Sequence, residues 1–265
     1  MKMLKTFFCM AGSAIIMTSC NETKVENERR LVWSDEFDYS GLPDSTKWDY
    51  DVGGHGWGNN EKQFYTEKRM DNAAVGNGML TITAVKEHYE GSDYTSARLI
   101  SKNKGDWKYG RIEVKAKLPK GTGVWPAIWM LPTDWKYGDW PESGEIDIME
   151  HVGYEPDSIY GTVHTAAYNH TIGTQKGKSI FADNVSEAFH VYALEWTKDT
   201  INIYMDDHLY FSYPNEQKTF REWPFDQRFH LLLNIAVGGD WGGQKGIDDN
   251  IFPQTMQVDY VRVYE

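Results

Sequence analysis

The sequence predicts an all-β fold, a sandwich or barrel with more than ten short strands. From Leu31 onward, short apolar runs alternate with turns rich in Gly, Asn, Asp and Pro. The sequence shows no internal repeat, heptad or long amphipathic helix. Its length of 265 residues is typical of one domain with a substantial core, once a leader is removed.

Three segments carry the clearest strand patterns. Between Tyr109 and Leu118, apolar and charged residues alternate, which predicts an antiparallel strand with one buried and one solvated face. The continuous apolar run Phe229–Val237 predicts a fully buried strand. Met256–Tyr264 alternates again and is predicted to be the last strand.

Composition restricts the classes of partner. The net charge is −12, from 39 acidic and 27 basic residues, which argues against nucleic acid and against an anionic membrane surface. Aromatic residues make up 14% of the chain, including 11 Trp and 16 Tyr. They indicate a β-rich core, and their flat faces also suit stacking on sugar rings.

Residues 1–20 are typical of an export signal, with Lys2 and Lys5 before an apolar stretch that ends at Met17. This stretch is too short for a permanent membrane helix. Met17-Thr18-Ser19-Cys20 resembles a bacterial lipobox, which predicts lipidation of Cys20; an ordinary secretory signal is the alternative. We therefore expect an exported bacterial lipoprotein at the outer membrane or cell surface, which contacts the membrane only through its lipid.

Residues 21–30 are polar, lack hydrophobic periodicity and are predicted to form a tether, so that the domain covers 31–265. Both cysteines, Cys9 and Cys20, lie in the leader. The mature domain is therefore expected to lack an internal disulfide and a thiolate metal site.

Residues 144–153 concentrate three acids within six positions. In a strand, Glu145 and Asp147 share one face and the intervening isoleucines share the core face. Strict alternation would turn Glu150 into the core, where an unpaired carboxylate is costly. One extra residue would return it to the acidic face, so we predict a β-bulge near Met149.

Carboxylates gathered on one face indicate glycoside hydrolysis, since retaining enzymes place a nucleophile and an acid/base about 5 Å apart. Asp147, between the two glutamates, is expected to drive their pKa values apart. The alternatives are a solvated acidic strand or a calcium site. Calcium loops usually carry Gly and Asn between their acids, whereas isoleucine stands there in this chain.

The segment GEIDIMEHVG resembles the active-site strand of glycoside hydrolase family 16, pattern E-x-D-x-x-E, in the bulged form of laminarinases and related β-glucanases. The resemblance covers about residues 31–265. It implies a concanavalin-like jelly-roll β-sandwich with a concave sheet that forms an open substrate cleft. It also implies Glu145 as nucleophile, Asp147 as its helper and Glu150 as acid/base.

The same resemblance implies residues that bind substrate on one side of the acids. The stretch Gly53–Thr66 is similar to one in laminarinases, so Trp57 and Asn60 are expected to border the cleft, Asn60 as a hydrogen-bond partner of sugar. A turn with a packed Trp57 is the alternative. Arg98 is expected to face the cleft, and a surface salt bridge is its alternative role.

Four further residues are implied around the acids. Trp125 and Trp129 share parity, and the family places both rings beside the cleaved sugar; two core tryptophans are the alternative. His164 resembles the family histidine that contacts the leaving-group sugar. Trp241, in a Gly-rich segment, is expected to be a platform for a more distant sugar, or else a ring that shields the core edge.

We expect no cofactor for catalysis, and no HExxH-type spacing indicates a catalytic metal. The family often carries a structural calcium on the outer sheet. The resemblance implies Asp259 as a ligand, with backbone carbonyls near the first strand and the Asn-Gly turn, at Glu36 and Gly78.

The predicted function is that of a retaining endo-β-glucanase on β-1,3-glucan or mixed-linkage β-1,3-1,4-glucan, because an open cleft admits the middle of a chain. We expect it to act as a monomer. One alternative is a non-catalytic surface lipoprotein of the same fold that binds glycan. Another is a family enzyme that acts on a different polymer, such as agarose.

Overall fold

The computed structural model describes Met1 and residues 29–265, and this part of the chain is almost entirely β-structure. Eighteen strands and two short 3₁₀ helices are present among the described residues. In chain order the strands are β1 (Leu31–Asp35), β2 (Asp49–Tyr50), β3 (Gln63–Tyr65), β4 (Ala73–Gly76), β5 (Met79–Tyr89), β6 (Ser92–Ser96), β7 (Arg98–Ile100), β8 (Asp106–Trp107), β9 (Gly110–Lys117), β10 (Val124–Pro132), β11 (Glu145–Glu150), β12 (Ser158–His164), β13 (Lys176–Phe181), β14 (His190–Trp196), β15 (Thr200–Met205), β16 (His208–Pro214), β17 (Phe229–Val237) and β18 (Gln254–Tyr264). The 3₁₀ helices are His170–Ile172 and Asp249–Ile251.

The strands form two large sheets packed face to face. The outer sheet has the order β16-β15-β14-β9-β18-β5-β6-β3, with β1 beside β18 and β4 beside β5. The cleft sheet has the order β13-β12-β11-β10-β17-β7-β2, with β8 beside β17. Pairing is antiparallel, apart from the parallel pair β3–β6. Neighbouring strands are often distant in sequence, and the predicted all-β jelly-roll sandwich is confirmed.

Burial follows the predicted patterns. In β9 the side chains of Ile112, Val114 and Ala116 are fully buried, whereas all nine residues of β17 are buried. Arg111, on the solvent face of β9, is also covered, because its guanidinium pairs with Glu113 at 2.5 Å and Glu195 at 3.0 Å. The core between the sheets is one continuous apolar cluster that includes both sheets' inner faces.

The described chain enters the domain on the outer sheet. Backbone hydrogen bonds join Arg30 to Glu265 in both directions, at 2.8 and 3.0 Å, and Arg29 forms an ion pair with Glu195. The predicted signal peptide, Cys20 and nearly all of the predicted tether lie outside the described residues. No described helix is long and apolar enough to cross a membrane.

Candidate active site

The acidic strand β11 lies near the middle of the cleft sheet, between β10 and β12. Ile146, Ile148 and Met149 are fully buried in the sandwich core. Pairing to β12 passes directly from Asp147 to Glu150, so that Ile148 and Met149 together face one residue of the neighbouring strand. Pairing to β10 is shifted at the same place. The predicted bulge near Met149 is confirmed, and it returns Glu150 to the face that carries Glu145 and Asp147.

Gly144 sets the start of this strand. Its φ of +85° lies in the left-handed region, and a Cβ there would lie 2.6 Å from Cγ of Pro224 and 3.0 Å from the Phe225 ring. Only glycine meets both conditions without strain. The chain therefore turns at Gly144, and Glu145 follows directly as the first residue of β11, where its side chain faces the cleft.

The three carboxyl groups have distinct neighbours. The indole Nε1 of Trp125 donates a hydrogen bond of 3.1 Å to Oε1 of Glu150. Nε2 of His164 lies 3.4 Å from Oδ2 of Asp147, and this carboxylate oxygen accepts no hydrogen bond from the described residues. His164 stands opposite Glu145 in the ladder, so it reaches the acids from β12.

Burial raises the pKa of all three carboxyl groups. Loss of water, and then the charge of Asp147, raises the pKa of Glu145 to about 8. Burial also raises the pKa of Glu150 to about 7, although the hydrogen bond from Trp125 acts to lower it. The pKa of Asp147 is raised well above its usual range, first by burial and then by the charge of Glu150. The pKa values of both glutamates are raised together, so the expected separation between them is not seen.

The acids lie in an open cleft of about 640 Å³. Its floor includes Glu145 and Glu150, and its walls come from loops on both sides. Trp241 packs edge-on against Trp125, with ring centroids 5.4 Å apart, and against Tyr160, at 4.9 Å. The residues that line the cleft are Gly58, Asn59, Trp125, Glu145, Glu150, Tyr160, Thr162, His164, His170, Thr171, Gln175, Asp240 and Trp241.

Trp129 and Arg98 lie on the same face of the cleft sheet. The Arg98 guanidinium is sandwiched between the rings of Trp57 and Trp129, 4.7 and 4.6 Å from their centroids. Its Nε also lies 2.9 Å from a carboxylate oxygen of Asp51, so Arg98 forms an ion pair, but this side chain is buried and is not among the residues that line the cleft. Trp129 donates to Asn234 at 2.7 Å. These contacts fix the Trp129 ring rather than leave it free.

Asn60 has a different immediate partner from the expected sugar. Its side-chain amide donates to both carboxylate oxygens of Asp240, at 2.9 and 3.1 Å, and the residue is exposed. The backbone N–H of Asp240 donates to the carbonyl of Asn59 at 2.7 Å. This pair of loops forms one cleft wall, and Asn59 rather than Asn60 lines the cavity.

The carboxylates near the implied structural calcium site have cationic partners. The Glu36 carboxylate accepts two hydrogen bonds from Arg262, at 3.0 and 2.8 Å. Asp259 lies 2.7 Å from Nζ of Lys115, and Gly78 occupies the turn before β5 with φ +73°. These contacts involve the carboxylates and not the backbone carbonyls of Glu36 and Gly78, so the calcium site stays a prediction.

A different group of potential metal ligands does come together. Ligand atoms of Glu145, Asp147 and His164 all lie within 4.8 Å of one another, the one such group among the described residues. A cation bound there would be coordinated by the same carboxyl groups that form the candidate catalytic site. We therefore assign these carboxyl groups no metal-binding role.

Several cleft residues escaped the reasoning from sequence. Tyr160 and Thr162 alternate on β12 directly beside the acidic strand, so the two-residue period of a strand was a usable signal. His170, Thr171 and Gln175 lie in and beside a short 3₁₀ turn that carries no strand pattern. Their place at the cleft depends on the fold of the whole loop.

Comparison with known proteins agrees with this geometry. The profile described as "Glycosyl hydrolases family 16" matches residues 60–262. The chain is 61% identical to a "Beta-glucanase" of Rhodothermus marinus over 241 residues, which is 88% of this chain and 84% of that protein. It is 38% identical to a "Glucan endo-1,3-beta-glucosidase" of Cryptopygus antarcticus, over 88% of this chain and 90% of that one.

Among solved structures, the laminarinase of Rhodothermus marinus superposes with a TM-score of 0.88 at 59% identity, over 89% of this chain and 97% of that one. The profile match, the overall similarity and a bulged acidic strand at the centre of an open cleft agree. The chain belongs to glycosyl hydrolases family 16 and is a glycoside hydrolase.

Proposed function

We propose that the protein is a retaining endo-β-glucanase that cleaves β-1,3-glucan, and also mixed-linkage β-1,3-1,4-glucan, by double displacement. The observation that supports the proposal is the bulged strand, which brings Glu145, Asp147 and Glu150 to one face, with Glu145 and Glu150 lining an open cleft. The relatives named above, a β-glucanase and an endo-1,3-β-glucosidase, support this class of substrate.

In the proposed first step, Glu150 protonates the glycosidic oxygen while the Glu145 carboxylate attacks the anomeric carbon. A covalent glycosyl ester forms on Glu145, and the shortened chain leaves. In the second step, Glu150 takes a proton from water, which attacks the same carbon and releases Glu145. Two inversions give net retention of the anomeric configuration.

The neighbours of the acids suit these roles. Glu150 begins the cycle protonated, a form that burial favours, whereas Glu145 must react as the carboxylate even though burial raises its pKa as well. His164 lies beside Asp147 and lines the cleft, and we expect it to contact the leaving-group sugar. Trp125 and Trp241 present aromatic surface along the wall.

The direct test is product analysis with purified protein on laminarin, lichenan and agarose. We expect release of internal oligosaccharides from laminarin and lichenan, with the β anomer formed first when hydrolysis is followed by NMR. Binding without release of reducing ends would support the glycan-binding alternative. Release from agarose alone would move the assignment to another polymer.

Replacing Trp125 with phenylalanine is expected to raise the pKa of Glu150, because it removes the N–H that donates to this carboxylate. Since the proposed mechanism needs a protonated Glu150, the alkaline limb of the kcat/KM profile should move to higher pH. The measurement is a pH profile on laminarin. A limb that stays in place would show that this hydrogen bond does not control Glu150.

We also propose that the protein is exported, that Cys20 carries a lipid, and that the domain is held at the outer membrane or cell surface as a monomer. The lipobox-like Met17–Cys20 segment after a short apolar stretch supports this. Cys20→Ala should move the protein from the membrane fraction to the soluble fraction, whereas Cys9→Ala should not. An unchanged distribution for Cys20→Ala would contradict lipidation, and light scattering of the released domain would check its mass.

A further inference from the structure

The bulge in β11 is contacted by a residue of the opposite sheet. Ile148 has no Cα partner in either neighbouring strand, because both ladders pass over it. Its carbonyl oxygen instead accepts a hydrogen bond of 2.9 Å from the hydroxyl of Tyr210. Tyr210 is only 3% exposed and belongs to β16 of the outer sheet. One hydrogen bond therefore crosses the core and ends at the bulge.

The strand that carries Tyr210 is itself interrupted at this residue. On β16, Phe211 pairs with Ile203 and Leu209 pairs with Tyr204, so that Tyr210 is the extra residue of a second bulge. Leu209 faces solvent, whereas Tyr210 and Phe211 are both buried. The second bulge thus turns the phenol inward, toward the first.

Gly161 provides the space for this phenol. It lies on β12 opposite the bulged residues, between Tyr160 and Thr162, which face the cleft. A Cβ at Gly161 would lie 2.9 Å from the hydroxyl oxygen of Tyr210 and 3.0 Å from its ring. Both atoms belong to a side chain that is packed in the core, so an alanine would push the hydroxyl away from Ile148.

We propose that Tyr210 is a positioning residue for Glu150, because its hydroxyl holds the bulge that returns Glu150 to the cleft face. Gly161 leaves the space that this hydroxyl occupies. The inference rests on the acid/base role proposed above for Glu150. Without the hydroxyl, the Ile148 carbonyl would lack its partner in a dry core, and the strand would relax toward another register. Glu145 precedes the bulge and pairs directly with His164, so it should move less than Glu150.

The test compares two leaving groups in Tyr210→Phe. The leaving group of laminarin is a sugar hydroxyl, and its departure needs a proton from Glu150. The leaving group of a 2,4-dinitrophenyl β-laminaribioside is a stable phenolate, which departs without a proton. We expect kcat/KM on laminarin to fall about 10- to 100-fold, since a small displacement of an acid has effects of this size. On the aryl glycoside, kcat/KM should change by about twofold at most. The ratio of the two kcat/KM values, on laminarin and on the aryl glycoside, does not depend on how much of the protein is folded.

Gly161→Ala should show the same selective loss, because it displaces the same hydroxyl. Tyr192→Phe is the matched control: Tyr192 is a fully buried phenol on β14 whose hydroxyl has no hydrogen-bond partner among the described residues. It should leave both rates unchanged.

Glu150→Gln separates the inference from its premise. Equal losses on both substrates in Glu150→Gln would overturn the proposed acid role itself. If Glu150→Gln shows the selective loss but Tyr210→Phe loses equally on both substrates, or on neither, the positioning role is wrong and the acid role stands.

Discussion

Replacing Glu145 with glutamine is expected to lower kcat on laminarin by roughly 10⁴- to 10⁶-fold while the fold persists, because the amide cannot form the glycosyl ester. Glu150→Gln should lose less, about 10²- to 10⁴-fold, since it removes proton transfer but leaves the nucleophile. Initial rates of reducing-end release, with circular dichroism as the check on folding, measure both. Glu90→Gln, an exposed acid outside the cleft, is the control.

Alanine variants in the presence of azide distinguish the two roles by stereochemistry. In Glu145→Ala, azide would attack an activated aryl β-glycoside once, from the side of the missing carboxylate, and give the α-glycosyl azide. In Glu150→Ala, azide would attack the glycosyl ester on Glu145 and give the β-glycosyl azide. Near-normal turnover of either glutamine variant, or azide products of the opposite configuration, would refute the assignment.

The second large effect is on stability: Glu145→Gln should stabilise the protein at about pH 8. Burial raises the pKa of Glu145 from 4.5 to about 8, so between these values the folded state binds more protons than the unfolded state. Stability therefore falls as the pH rises through this window. The amide avoids that cost, and we expect a gain of about 2 kcal/mol at pH 8, below the limit set by the full shift because the carboxyl partly faces cleft water.

For a domain of this size, such a gain corresponds to a rise in Tm of about 4–8 °C. The gain should disappear as the pH falls below 4.5, where wild-type Glu145 becomes protonated in the unfolded state as well as in the folded state. Thermal unfolding of wild type and variant across this range is the measurement, again with Glu90→Gln as control. A gain that is the same at both ends of the range would point to packing instead of charge.

The bulge is a feature of the site that could be predicted from the sequence. Glu150 breaks the alternation set by Ile146 and Ile148, and the cost of burying its charge is enough to predict an extra residue near Met149. Strand periodicity likewise predicted β9, β17 and the sandwich. These are local arguments, and they succeed because each depends only on neighbours along the chain.

Other features needed the folded chain. Asn60 donates to Asp240, 180 residues away, and the Arg98 guanidinium lies between two rings that come from different strands and loops. The bond from Tyr210 to Ile148 joins opposite sheets. The protonation of the acids depends on water excluded by the whole sandwich. No spacing in the sequence encodes these distances.

The entry of the chain beside Glu265 and Glu195 has a practical consequence. Glu195 lies on the solvent face of the outer sheet, so Arg29, its ion-pair partner, lies on the side of the molecule opposite the cleft sheet. A support, a fused domain or a bilayer attached there would leave both ends of the groove open, and a long polysaccharide strand could run through it without meeting the attachment.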